Sequence, residues 1–174
     1  VATAERYRRT MAFNGAQGTA SVTPAGQDRL RIDLAFPKLD ALPDIIARLR
    51  ALFDLAADPQ ILVEHLGRDP DLAPLVAARP GLRVAGSWDG FELVVRSVFG
   101  ERLTRPASPV LMAAFVQAFG EPLGRPADGL THLFPVAERL HNADLTVVGM
   151  TGAQASAIGS YVGSLLRDPA PIKL

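Results

Sequence analysis

The sequence predicts an α+β fold: a small antiparallel β-sheet domain with helices, followed by an all-helical domain. Three observations carry that prediction. Leu30, Ile32, Leu34 and Phe36 alternate with Arg29, Arg31, Asp33 and Ala35, the period-two pattern of a sheet with one buried face. From about Leu42 onward the apolar spacing becomes helical. Strands first and helices afterwards, with a boundary near Ala56 to Pro59, is the α+β order. The expected division is a partial antiparallel α+β amino-terminal domain over residues 1–57 and a helical domain over 58–174.

Between Tyr7 and Phe36 the chain reads as strands and tight turns. The stretch G-T-A-S-V-T-P is the hairpin partner of R-L-R-I-D-L-A-F, linked to it by A-G-Q-D. Pro43 suits a first helical position, and Ile45, Ile46, Leu49, Leu52 and Phe53 then share one face. Asp58-Pro59 and Asp69-Pro70 repeat one start signal, an N-cap acceptor followed by a residue that gives up no needed N–H. Gly67 and Gly81 supply stops.

Asp89 with Glu92 three residues later has the spacing of a capping box, and the apolar stripe Phe91, Val94, Val95, Val98 and Phe99 runs to Gly100. Ser108-Pro109 opens the next helix, which ends near Gly120. The segment G-E-P-L-G-R-P-A-D-G reads as a loop. A short helix follows near Pro135 to Leu140, and Thr151 with Gln154 caps a last helix carrying Ala155, Ile158, Tyr161, Val162 and Leu165.

Composition narrows the function. With 174 residues, 48% of them hydrophobic, the chain is long enough for one good core or two small ones. No stretch approaches the roughly 20 apolar residues that span a bilayer, and V-A-T-A-E-R-Y-R-R-T has no signal-peptide apolar region, so the expected location is the cytoplasm, with no membrane partner. The absence of cysteine excludes disulfides, thiolate zinc sites and a cysteine nucleophile, and His65, His132 and His141 are too far apart in sequence to suggest a ligand pair; neither metal nor cofactor is expected. Eighteen basic and eighteen acidic residues cancel, so any nucleic-acid contact must be local.

In order along the chain stand R-Y-R-R-T, R-L-R-A-L-F-D-L-A-A-D-P, H-L-G-R-D-P-D-L-A-P-L-V-A-A-R-P-G-L-R-V, S-W-D-G-F-E-L-V-V-R-S-V-F-G and G-L-T-H-L-F-P. Together they resemble the AlkA-type 3-methyladenine DNA glycosylases, in the version also found as the last part of Ada-family fusion proteins. The resemblance runs from about Tyr7 to Gly152. It implies an antiparallel amino-terminal domain and the first half of a helix-hairpin-helix glycosylase domain, with double-stranded DNA carrying alkylated bases as the partner. Such enzymes flip the damaged nucleotide out of the duplex. A base alkylated at a ring nitrogen is cationic and leaves easily, so the site needs an aromatic surface for the cation and a carboxylate for charge developing on the sugar.

The resemblance also says what the stop at Gly100 is for. In the family, the matching helix ends in a loop that enters the minor groove beside the flipped nucleotide, and by position that loop is Gly100, Glu101, Arg102, Leu103 and Thr104 here. An apolar wedge would fill the gap in the base stack. This chain instead has Glu101 for the usual glutamine and Arg102 at the wedge position, which brings a carboxylate toward phosphates and a guanidinium into the plug.

The family's hairpin, of the form L-P-G-I-G-x-W-T-A, and its catalytic aspartate lie downstream of the helix matching Gly152 to Leu166, and D-P-A-P-I-K-L resembles neither. No catalytic residue is assigned. The expected reading is an incomplete piece of a base-excision-repair glycosylase, inactive by itself. Its exposed apolar faces, such as Ile158, Tyr161, Val162 and Leu165, would drive self-association. The alternative is a non-catalytic DNA-binding or protein-interaction module derived from that fold.

Other candidates have plainer roles. Asp144 and Asp168 read as cap or loop residues, Trp88 as an anchor between helices, and His65 as a charge suited to a helix C-terminus. Gly149 to Gly152 read as capping, and Arg6, Arg8 and Arg9 as the exposed side and end of a strand.

Overall fold

The computed structural model describes residues 2–3, 5–26, 28–100 and 107–168. An antiparallel sheet comes first, in the order β1 (Tyr7–Phe13), β2 (Ala16–Pro24), β3 (Leu30–Ala35). Its first turn is Asn14-Gly15, with φ of 49° and 72°. Two consecutive left-handed residues make the type I′ turn whose twist matches the flanking strands, and Asn-Gly is the pair that adopts it at least cost. Tyr7 then faces Val22 and Phe13 faces Ala16. The second pairing sets Thr19 against Ala35 and Pro24 against Leu30, joining the two segments expected to form a hairpin. Met11, Ala20 and Val22 are buried, while Ile32 and Leu34 on the outer strand keep their alternation at half burial.

After a 3-10 turn at Leu39–Ala41 come α1 (Leu42–Leu52), α2 (Pro59–Leu66), α3 (Ala73–Ala78) and α4 (Gly90–Gly100). α5 (Ala107–Phe119) follows, then α6 (Ala137–Leu140), a 3-10 turn at Leu145–Val148, and α7 (Gly152–Arg167). By contact the chain forms two compact units. One takes in the sheet and the described residues from Phe91 onward, and the other is Leu42–Gly90. This grouping cuts the chain at other points than the sequence division at 57 and 58.

Within Leu42–Gly90, Ile45, Leu49 and Leu52 are buried on one face of α1. Asp58 caps α2 by accepting from the Gln60 N–H at 2.9 Å. Asp69 accepts from the N–H groups of Asp71 and Leu72, so the second Asp-Pro signal opens a turn and α3 begins at Ala73. Arg83 ties this segment together by donating to the carbonyls of Asp54 and Ala57. α2 and α3 bury no residue. Ile61, Leu75 and Leu82 are each more than 60% exposed, and Val84 is 82% exposed.

The other unit has the larger core. Val95 and Phe99 of α4, Phe115 of α5, Leu140 of α6, and Ile158 and Val162 of α7 are at most 1% exposed. The Phe99 and Phe115 rings meet edge to face at 5.1 Å between centroids, and Phe119 and Phe134 pack on Phe115 at 5.4 and 6.0 Å.

Two expectations are corrected here. The apolar stripe of α7 does not seek a missing element. Ile158 and Val162 are core, Leu165 packs against that core, and Tyr161 stacks on Phe91 at 5.9 Å. A helix carrying that stripe finds its partners in α4 to α6, whereas Ile61, Leu62, Val63 and Leu66 of α2 and Leu75 of α3 are among the exposed large apolar residues. The segment read as a loop after α5 is a hairpin, β4 (Pro122–Ala127) with β5 (Leu130–His132). Its turn is Asp128-Gly129, with φ of 51° and 77°, again type I′. Pro122, Gly124 and Pro126 conceal the strand, because proline withholds ladder donors and glycine lacks strand preference. The pairing is accordingly irregular between Pro122 and Ala127. Among the described residues, no helix is long and apolar enough to cross a membrane.

Candidate nucleic-acid interface

α4 leads to the loop that the resemblance makes the candidate interface. Gly100, its last residue, is exposed, and a Cβ added there would meet no atom within 4 Å. Glu101, Arg102, Leu103 and Thr104 lie outside the described residues. What the structure defines is how α4 is held.

Near its start, Glu92 is buried and receives two guanidinium groups. Arg9 of β1 donates to Oε2 at 3.0 Å, and Arg96, one turn on, binds Oε1 at 2.7 and 2.8 Å through Nη2 and Nε. The Arg9 side chain is 9% exposed and that of Arg96 is 50%. Arg9 also donates to the Tyr7 hydroxyl and the Thr10 carbonyl, both at 3.2 Å. The Arg96 guanidinium lies 5.4 Å from the centre of the Phe134 ring. Burial pushes the Glu92 carboxyl up, but the charges of Arg9 and Arg96 and their hydrogen bonds together outweigh it and hold the carboxyl below its ordinary value.

This corrects one reading and extends another. Arg9 is buried rather than exposed, and Glu92, marked in the sequence only by its capping-box spacing, is a buried ion-pair partner. The three-residue spacing from Asp89 signals a cap and carries no sign of the ion pair. A signal did exist. Glu92 stands three residues before Val95 and seven before Phe99, in phase with the apolar stripe, and a carboxylate on a buried face requires a cation. Arg8, next to Arg9 in the strand, turns the other way and donates to the Asp128 carbonyl in the β4–β5 turn.

At its far end α4 meets α7. Thr151 and Gln154 form the expected capping box, and the Gln154 amide nitrogen also donates to the Val98 carbonyl at 3.2 Å. The sequence marked Gln154 only as a cap. Asp144 caps the 3-10 turn after α6, accepting from the Thr146 N–H at 2.9 Å and the Thr146 hydroxyl at 2.6 Å, and these bonds lower its pKa. Asp168 is the exposed C-cap of α7. His65 lies exposed in the last turn of α2. Trp88 is buried, with the Arg48 guanidinium 5.6 Å from its ring centre. Asp144, Asp168 and His65 keep the plain roles expected of them.

The family profile described as the AlkA N-terminal domain matches residues 1–89, just over half of the chain. The chain belongs to the AlkA family. The Mycobacterium tuberculosis protein described as a probable bifunctional transcriptional activator/DNA repair enzyme AlkA is 36% identical over 159 residues, which is 91% of this chain and 32% of that protein. The Escherichia coli DNA-3-methyladenine glycosylase 2 is 31% identical over 172 residues, 97% of this chain and 58% of that one. This AlkA-family chain therefore spans 32% to 58% of the length of these relatives. Its fold is that of a solved 3-methyladenine DNA glycosylase from Archaeoglobus fulgidus, with a TM-score of 0.77 over 93% of this chain and 57% of that one, at 19% identity. Arg9 falls inside the AlkA profile match, and Glu92 three residues beyond its end.

Proposed function

We propose that this chain is part of a base-excision-repair DNA glycosylase for alkylated bases. Residues 1–57 are its partial amino-terminal domain, and 58–174 are the first half of its helix-hairpin-helix domain. The observation that carries this reading is the AlkA N-terminal match together with relatives described as a DNA repair enzyme and a DNA-3-methyladenine glycosylase. The parent enzyme works on chromosomal DNA in the cytoplasm. Gly100 to Thr104 meet the minor groove at the flipped nucleotide, with Arg102 filling the gap or binding phosphate and Glu101 opposing the backbone. This chain contributes no catalytic carboxylate; Asp144 and Asp168 are caps.

The test uses duplex DNA carrying a positively charged abasic-site mimic. Tighter binding to it than to plain duplex is the expected result, with no release of base when the chain alone is given 3-methyladenine DNA. Equal affinity for the two duplexes would remove lesion recognition. It would leave the second reading, a non-catalytic interaction module, which the carboxylate of Glu101 favours.

Self-association follows from the surface. Eight large apolar residues between Ile61 and Val84 are exposed, well beyond the scattered singles of an ordinary monomer surface. Sedimentation should find concentration-dependent oligomers of the chain, and Ile61→Lys with Leu75→Lys should shift them toward monomer. A monomer at every concentration would rule this out.

A further inference from the structure

We propose that Gln154 is a positioning residue for the DNA-facing end of α4, an inference that rests on the function proposed above. The last carbonyls of a helix have no partner within it. One of those of α4, on Val98, receives the Gln154 Nε2 from 56 residues away. The Oε1 of the same amide accepts from the N–H and the hydroxyl of Thr151, each at 3.1 Å. Gln154 is 6% exposed, so water cannot replace either bond at no cost.

Capping alone does not ask for this residue. A capping box needs only the side-chain oxygen, and glutamate supplies it as well as glutamine does. The amide nitrogen is what joins α7 to α4. Around it Val95, Phe99, Ile158 and Val162 pack as apolar core. Such contacts are non-directional and tolerate a small slide or roll of one helix on another. A buried hydrogen bond is directional and fixes one register. Glu92 secures the other end of the helix to β1, so α4 is held at two points, and Gly100 stands two residues past the second. Gln154 thereby sets where the loop departs, without touching DNA itself.

Three variants separate the two ends of the amide. Gln154→Glu keeps the acceptor for Thr151 but sets a carboxylate against the Val98 carbonyl. Thr151→Ala weakens the cap and leaves the Val98 bond. Gln154→Met, close in volume, removes both polar ends without burying a charge and guards against a fold lost to that charge. Each is measured on the full chain for binding to the abasic-mimic and plain duplexes, and for amide exchange over Val95 to Gly100.

In both Gln154 variants, affinity for the mimic duplex should fall by about tenfold, the scale of one buried hydrogen bond, and exchange at the end of α4 should rise. Thr151→Ala should stay within about twofold on both readouts. A parent chain that does not distinguish the duplexes overturns the proposed function and this role with it. A parent that does, with Gln154 variants that match it, overturns the positioning role alone. Equal exchange at the end of α4 in all three variants overturns the coupling whatever the DNA shows.

Discussion

Phe115→Ala is expected to lower folding stability by about 3–5 kcal/mol, the range for a large aromatic removed from a packed core. Phe115 is fully buried, and its ring touches three others, Phe99, Phe119 and Phe134. Those rings come from α4, from α5 itself and from the segment before α6, so no single neighbour can move to fill the space. Part of the loss is the transfer energy of the ring and part is the cavity left behind. Natural domains hold only about 5–15 kcal/mol in total, so much of the margin would go. Urea unfolding followed by circular dichroism measures it, with Leu75→Ala on the exposed face of α3 as a control expected within about 0.5 kcal/mol. A loss for Phe115→Ala under about 1 kcal/mol would mean that the core is not packed as described.

Glu92→Ala is the second large effect, again about 3–5 kcal/mol, for an electrostatic reason. The substitution leaves the Arg9 guanidinium, 9% exposed, without its carboxylate, and a buried charge that loses its counter-ion retains its desolvation cost. Arg96, at 50% exposure, recovers water and adds little. The double replacement Arg9→Met with Glu92→Leu should restore most of the loss, because apolar pairs of similar volume often match buried ion pairs. If the double variant is as unstable as Glu92→Ala, the ion pair is not the cause.

The same carboxyl sets a pH dependence. Its pKa is lowered on folding, so its stabilising contribution is complete above the ordinary glutamate value of 4.5 and is lost as pH falls through the lowered folded value. Acid titration of stability should therefore be shallower below that value in Glu92→Gln than in the parent chain. Parallel curves would exclude Glu92 from the acid transition.

The sequence by itself determined what depends on neighbours a few residues apart. The alternation of β3, the caps at Asp58, Asp144 and Thr151, and the stripe of α4 are each written in spacings of two to four residues, and each is found where those spacings place it. The quoted blocks also carried the AlkA family. Tertiary structure decided what depends on distant partners. Glu92 lies 83 residues from Arg9, and Gln154 lies 56 from Val98. In both cases the local pattern, a carboxylate or amide three residues after a cap, is satisfied by a helix start alone. The β4–β5 hairpin, too, is assembled from prolines and glycines whose own preferences argue against a strand, around an Asp-Gly turn that favours one. Burial made the choice in each case. Removing a polar group from water requires a partner of the right chemistry, and only the folded chain brings residues so far apart in sequence within 3 Å or so of one another.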